Sequence, residues 1–329
     1  MRKFILCLIF LGVSGAVAAP PAERFAFAAL GCEPYARAPD SVENFARLIA
    51  EINHVNPVFT VHLGDFKGSE EPCTDELFFR RRDEFNTFTG PLIYTPGDNE
   101  WTDSHYEKAG HRDPLERLAK LREVFFAEER SLGQRPIALV TQRRDPKFAK
   151  FAENARWAYG GVVFATVHAV GSDNNDQPAL PGAVAEFQER DAADAAWIHA
   201  AFAEARATAA VGVVLFCQAD PFAADFGQEG VARGFGQFLK VIDEEARAWA
   251  KPVLLVHADE HRYRLDIGMQ LLPGEAPLSN VTRLETFGDF NVHGALVCVD
   301  PDSPQLFLCG PLIVPGNPRP LLPRPKKAP

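Results

Sequence analysis

Five apolar runs of this chain end in side chains that hold cations or move protons: "LGCEPY" (30–35), "HLGDFKG" (62–68), "TPGDNEW" (95–101), "FCQADPF" (216–222) and "LVHADEHRY" (255–263). One acidic exit carries no message, because Asp and Asn favour turns for their own backbone reasons. Five in series are harder to dismiss. Together they offer carboxylate, imidazole and amide donors of the kind that suits Mn, Fe or Zn. Competing chemistries lack their signatures. There is no P-loop, no H-E-x-x-H and no nucleophile elbow beyond the first residues, and "GFG" (234–236) lacks the preceding strand of a dinucleotide fingerprint.

The elements that must position these exits are readable from hydrophobic period. "FAFAAL" (25–30), "VFTVHL" (58–63) and "PLIYT" (91–95) read as strands. Helices fit near 41–53 and 75–88 and over 114–126, the last opened by Asp113 as cap and Pro114 at the first position. "RWAYGGVVFATVHAVG" reads as a hairpin closed at Gly160-Gly161. A helix near 186–206, a strand at 211–216, a helix near 234–249 and a strand at 252–257 follow. The strands "VHGALVCV" and "LFLCG" close the fold. The pattern is α/β and predicts two mixed sheets face to face with helices outside. In such sheets ligands collect beyond the carboxyl ends of strands.

The order and spacing of the exits resemble the calcineurin-like metallophosphoesterases, whose signature segments end in D-x-H, G-D, G-N-H-[DE], a lone His and G-H-x-H. The likeness is closer to an exported bacterial branch of that family, which carries PGDNEW, a PLERL helix, a GSxNN loop and a late H-G-D-x-H. This chain has "PGDNEWTD", "DPLERLAKLREVFF", "GSDNN" (171–175) and "HADEH" (257–261), and the likeness runs from about Phe25 to Leu308. It implies a four-layer metallophosphoesterase-like sandwich over residues 20–315. It also implies two divalent cations (Mn, Fe or Zn) and hydrolysis of a phosphate mono- or diester, with a small phosphorylated molecule as substrate.

Carried over residue by residue, the resemblance puts Asp65 at the bridging position. Asp98, Gln218 and Asp259 would hold one ion, and His261 with Cys32 or Glu33 the other. Asn99 falls where a histidine usually protonates the leaving group; an amide donates a hydrogen bond but no proton. The first segment departs from the pattern, since relatives read GDxPY and this chain reads "GCEPY". Cys32 could bind as a thiolate, Glu33 could replace it by a local shift, or the first metal position could be weak or empty. Relatives often have a cysteine at the place of Ser104, as a partner for Cys73. Without it, the resemblance also raises a Cys32–Cys73 disulfide. These departures leave a second function open, a degenerate non-catalytic member that keeps the fold as a binding or interaction protein.

Blander roles compete at several positions. Glu100 could cap a helix, Trp101 could pack, and Gln218 could satisfy buried backbone groups. His257 reads equally as a structural residue or a ligand. Asn174 and Asn175 could contact substrate or form a turn, and His62 and His168, within strands, read as satisfied core or surface histidines. Lys67 and Arg262 could meet a phosphate or simply face solvent. Cys217 should point into the core, away from Gln218.

Residues 1–19, "MRKFILCLIFLGVSGAVAA", have the layout of a Sec-type leader with Ala16 and Ala18 at an A-x-A site. A periplasmic or secreted protein is expected, with no second apolar run to span a membrane. The formal net charge of −10, more negative still without Arg2 and Lys3, disfavours duplex nucleic acid and anionic membranes as partners. Cys32, Cys73, Cys217, Cys298 and Cys309 remain after the leader, an odd set. Cys298 and Cys309 lie in consecutive strands and could face each other. The stretch "PGNPRPLLPRPKKAP" is proline-rich and basic, and the tail from 316 is expected to be unstructured. No segment identifies a protein partner.

Overall fold

The structure, a computed structural model, describes residues 23–36, 40–222 and 233–320. The expected leader and residues 321–329 of the tail lie outside them.

The first half builds a sheet by alternating strands and helices. β1 (Phe25–Leu30), β2 (Thr60–His62) and β3 (Leu92–Tyr94) run parallel, linked by α1 (Ser41–Val55) and α2 (Asp75–Phe85). α1 buries the stripe Phe45, Leu48, Ile49 and Ile52 and stops at Asn56 in the left-handed region. α2 starts where the Thr74 hydroxyl accepts the Leu77 N–H. α3 (Pro114–Phe125) has its Asp113 cap accepting from Leu115 and its Pro at the first turn, as the sequence predicts.

The second sheet has seven strands, in the order β4 (Val140–Thr141), β5 (Ala155–Tyr159), β6 (Val162–Thr166), β7 (Gly212–Phe216), β8 (Val253–His257), β10 (Leu278–Glu285) and β9 (Arg264–Met269). β11 (Gly294–Val299) and β12 (Phe307–Leu312) return to the first sheet, whose order is β12-β11-β1-β2-β3. Both sheets mix parallel and antiparallel pairs. α5 (Ala183–Ala207) and α6 (Gly236–Trp249) cover the outer face of the second sheet, and the short turn α4 (Gly171–Asn174) follows β6.

The four layers follow from strand alternation. Phe27, Val61, Ile93, Phe164, Val214, Phe216, Leu254 and Val297 fill the space between the sheets. Phe45, Phe78, Phe85 and Phe125 lie under α1–α3, and Ile198, Phe202, Leu239 and Ile242 lie under α5 and α6. A fully buried side chain of this size contributes roughly 1.5–3 kcal/mol. This is the four-layer α/β sandwich, two mixed sheets face to face with helices outside, that the sequence predicts.

Three expectations need correction. β4, β9 and β10 are not among the predicted strands; β9 is an edge strand whose side chains, exposed or half-buried throughout, blur the alternation. Cys298 pairs with Leu308 and Cys309 with Val297, so the two sulfurs point to opposite faces and both cysteines are free. Asn317, placed in the unstructured tail, is buried; its amide donates to the Asn44 and Val292 carbonyls and accepts from Arg47.

Candidate functional site

The carboxyl ends of β2, β3 and β8 release Asp65, Asp98 and Asp259 towards one another. One carboxylate oxygen from each lies within 4.8 Å of the others. Glycine makes the approach possible. A Cβ on Gly97 would stand 2.1 Å from Asp65 Oδ1, and one on Gly64 would stand 2.2 Å from the Gly97 nitrogen. Glu100 neither caps a helix nor faces the pocket with both oxygens. Its Oε1 accepts from the Asp65 N–H (2.8 Å), the Gly97 N–H (3.1 Å) and the Tyr94 hydroxyl (2.9 Å), and so staples the second exit to the third.

Asp65 is buried and its Oδ2 accepts from Gln218 Nε2 (3.0 Å), the Tyr35 hydroxyl (3.2 Å) and the Cys32 thiol (3.4 Å). Its Oδ1 accepts from the Asn99 N–H at 3.1 Å. Burial, then Asp98, Glu100 and Asp259, push its carboxyl well above the usual range. Asp98 is raised too, by burial, while the Ser172 hydroxyl at 2.9 Å works against the rise. Its Oδ1 is buried without a hydrogen-bond partner. Asp259 is raised well above its ordinary value by burial and then by Asp98.

Among the described residues no Lys or Arg forms an ion pair with any of the three, so the mostly buried pocket gathers carboxyl groups without a paired cation. An orphaned buried oxygen beside two further carboxylates fits a hard or borderline divalent cation.

The remaining predicted residues fall around this trio. Gln218 accepts the Gly171 N–H on Oε1 (2.6 Å) and turns its NH₂ to Asp65 and Asp259 (3.0 and 3.1 Å). It bridges two carboxylates as a donor, with its oxygen turned to the Gly171 N–H. Asn99 Nδ2 donates to the Tyr35 hydroxyl at 3.0 Å. Cys32 takes the Asp259 N–H on its sulfur (3.2 Å) and gives its proton to Asp65; burial, then Asp65 and Asp259, push the thiol well up. Cys73 donates instead to the Glu100 carbonyl at 3.0 Å, so the Cys32–Cys73 disulfide is not formed. Glu33 is fully buried with neither oxygen hydrogen-bonded. Burial and then Asp289 raise it, and it is not in the group that Asp65, Asp98 and Asp259 form. His261 packs on Gly288, and the Tyr35 hydroxyl, which donates to Asp65, lies 3.3 Å from its Nε2.

Lys67 is buried, not solvated, and gives Nζ to the Asn99 carbonyl at 2.7 Å. His62 is structural, with Nε2–H donating to the Glu33 carbonyl and Nδ1 accepting the Gly64 N–H; burial drops it to about 3. His168 joins the buried Glu153, and Trp101 packs with Leu118 and Val170. Arg262 is exposed, and Cys217 is buried on the α5–α6 side.

Sequence reasoning missed Tyr35, Ser172 and Arg190. Ser172, Asp173, Asn174 and Asn175 all adopt left-handed backbone, with φ of 50°, 57°, 54° and 62°. Each such residue costs roughly 1–2 kcal/mol. The buried Arg190 of α5 sustains the run by donating to Asn174 Oδ1 (2.6 Å) and the Asn174 carbonyl (2.8 Å). The result holds the Ser172 hydroxyl between Asp98 Oδ2 (2.9 Å) and Asp103 Oδ1 (2.7 Å). One hydroxyl proton cannot serve both carboxylates. Asp103, raised to about 7 by burial and then by Asp98, can return a proton to Ser172. "GSDNN" was visible in the sequence; the arginine that holds it was not.

No protein-family model matches the chain, and no curated protein does. Solved structures do. PhoD superposes with a TM-score of 0.52 at 11% identity, over 83% of this chain and 58% of its own length, so the chain spans less than two thirds of it. A dimetal phosphatase from Danio rerio gives a TM-score of 0.47 at 10% identity, covering 85% of this chain and 96% of that one. Purple acid phosphatase PPD1 from yellow lupin gives 0.46 at 11%, covering 85% and 50%. At these identities the likeness to PhoD shows the fold, an α/β sandwich of the metallophosphoesterase type.

Proposed function

We propose that this chain hydrolyses a phosphate mono- or diester of a small molecule with the help of a divalent cation. The observation that carries the reading is the meeting of Asp65, Asp98 and Asp259 within 4.8 Å, from three strand exits, with Asp98 Oδ1 unpartnered. When bound there, a divalent cation supplies neutralising charge for a phosphoryl group and acidifies water. The protein's own part is placement. Glu100 holds the exits of Asp65 and Asp98 in register, and Gln218 ties Asp65 to Asp259. Asn99, at the family's proton-donor position, can orient a phosphoryl oxygen but cannot protonate a leaving group, so the reading favours esters with acidic leaving groups. The reading of residues 1–19 as an export leader supports an activity in the periplasm or medium.

The rival is a non-catalytic member of the fold, favoured by Cys32 at a position where relatives have an aspartate. A panel of phosphomonoesters and phosphodiesters, assayed with added Mn²⁺ and Zn²⁺ and after chelation, separates the two. Turnover that needs the cation and falls at least about 100-fold in Asp65→Ala supports the enzyme. No turnover in the wild type, with turnover regained in Cys32→Asp, identifies a decayed site. Failure of both leaves the binding protein.

A further inference from the structure

We infer that the pocket takes one divalent cation where the family pattern implies two, because Tyr35 and Cys32 close the side that faces His261. The inference rests on the metal-dependent reading above and narrows it.

Among the described residues, the groups of three side chains that converge within 4.8 Å include Asp65, Asp98 and Asp259 but neither His261 nor Cys32. What lies between His261 and Asp65 is a phenol. The Tyr35 hydroxyl has one proton and two lone pairs. It donates to Asp65 Oδ2 at 3.2 Å, accepts from Asn99 Nδ2 at 3.0 Å, and meets His261 Nε2 at 3.3 Å. With Nε2 as the donor all three valences are used, and a neutral phenol is a far weaker cation ligand than a carboxylate.

Cys32 is equally committed. Its backbone is left-handed (φ 57°), with N–H on the Gly64 carbonyl at 2.8 Å and C=O taking the Asp289 N–H at 2.9 Å. The sulfur takes the Asp259 N–H and gives its proton to Asp65. A cation on that side would have to break the hydrogen bonds of the thiol and of the phenol and draw His261 inward. On the other side, Asp98 Oδ1 is buried, unpartnered and already beside its two companions. The aspartate-to-cysteine exchange thus leaves one compartment intact and fills the other with neutral donors.

Metal content decides it. The full chain is stripped with chelator and dialysed against Mn²⁺ or Zn²⁺, and bound metal is counted by elemental analysis and by calorimetry. About one equivalent in the wild type, and about two in Cys32→Asp/Tyr35→Phe, is the expected pair. Two equivalents in the wild type overturn the inference and leave the metal reading standing. None, at millimolar free metal, overturns the reading beneath it. A double variant that keeps its near-UV circular dichroism and still binds one equivalent removes the role given to Tyr35 and Cys32.

Cys32→Ser covers the case in which the double variant does not fold. It should bind Zn²⁺ within about threefold of the wild type, and the Co²⁺-loaded wild type should show no thiolate charge-transfer band. A drop of about tenfold or more, with such a band, would make Cys32 a ligand and overturn the inference.

Discussion

Asp65, Asp98 and Asp259 meet beyond one set of strand ends. Asp220, His257 and Glu285 meet beside them, joined where the Asp220 N–H donates to Asp259 Oδ2 at 3.1 Å. Both groups are mostly buried and both have the spacing to hold an ion. They differ in what the chain itself provides. In the second group the Arg283 guanidinium reaches Asp220 Oδ2 at 2.5 Å, Glu285 Oε2 at 3.5 Å and His257 Nε2 at 2.7 Å. His257 accepts there because its Nδ1–H goes to the Ala258 carbonyl, and burial lowers it to about 4. Here an acidic cluster is an internal ion network, with its cation encoded in β10. In the first group the nearby Lys67 spends its ammonium on a backbone carbonyl. Ligand spacing alone does not distinguish a metal centre from a salt-bridge knot; the presence of an encoded cation does.

The largest test of this difference removes that cation. Arg283→Met leaves Asp220 and Glu285 buried without their cation, and breaking such a buried pair costs about 3–5 kcal/mol. Urea unfolding of the chelated protein should show that loss, and added Zn²⁺ should recover part of it by occupying the vacated group. A loss below about 1 kcal/mol would mean the two clusters are alike. A second, smaller effect is read by pH. Burial, then Asp220, lifts Glu285 from 4.5 to about 8. Its proton is therefore held more tightly in the folded chain, so its stabilisation is complete below about pH 4.5 and lost as pH rises through about 8. Glu285→Gln keeps the neutral form. Between pH 5 and pH 9 the variant should gain on the wild type by an amount on the order of 2 kcal/mol, and parallel curves would refute the assignment.

Much of this was legible in the chain, for definable reasons. The exits at Asp65, Asp98 and Asp259 follow apolar strands, the Asp113-Pro114 start of α3 is a local signal, and Gly160-Gly161 closes its hairpin by its own chemistry. Such features depend on neighbours in sequence. Tyr35 carries no local signal within "GCEPY", since its partners come from residues 65, 99 and 261. Arg283 sits in a strand whose polar face hides its period, and Arg190 reaches the 171–175 turn from the middle of α5. Buried arginines leave no local pattern; only the packed fold reveals what they neutralise. Gln218 shows a further limit, because its residue type permits either a ligand oxygen or a donor, and the Gly171 N–H is what turns the amide.

The smallest expected effect is also the most discriminating, because its sign changes with conditions. Asp98 sits against Asp65 and Asp259, with no side-chain cation paired to it among the described residues, and it raises both of them by repulsion. Asp98→Asn keeps the shape and still offers Ser172 an acceptor, but removes one charge. In chelator the variant should melt higher than the wild type, with a gain of about 1 kcal/mol, because like charges held in a dry pocket oppose folding. In excess Mn²⁺ or Zn²⁺ the order should reverse. The wild type gains stability from the bound ion by mass action, and the variant, with one ligand charge fewer, gains less. A cluster serving only as structure would lose stability on this substitution in both buffers, as the Arg283 group would if Asp220 were changed. Crossing of the two melting orders is therefore the behaviour expected of a pocket whose cation comes from solution, and its absence would assign Asp65, Asp98 and Asp259 to the scaffold.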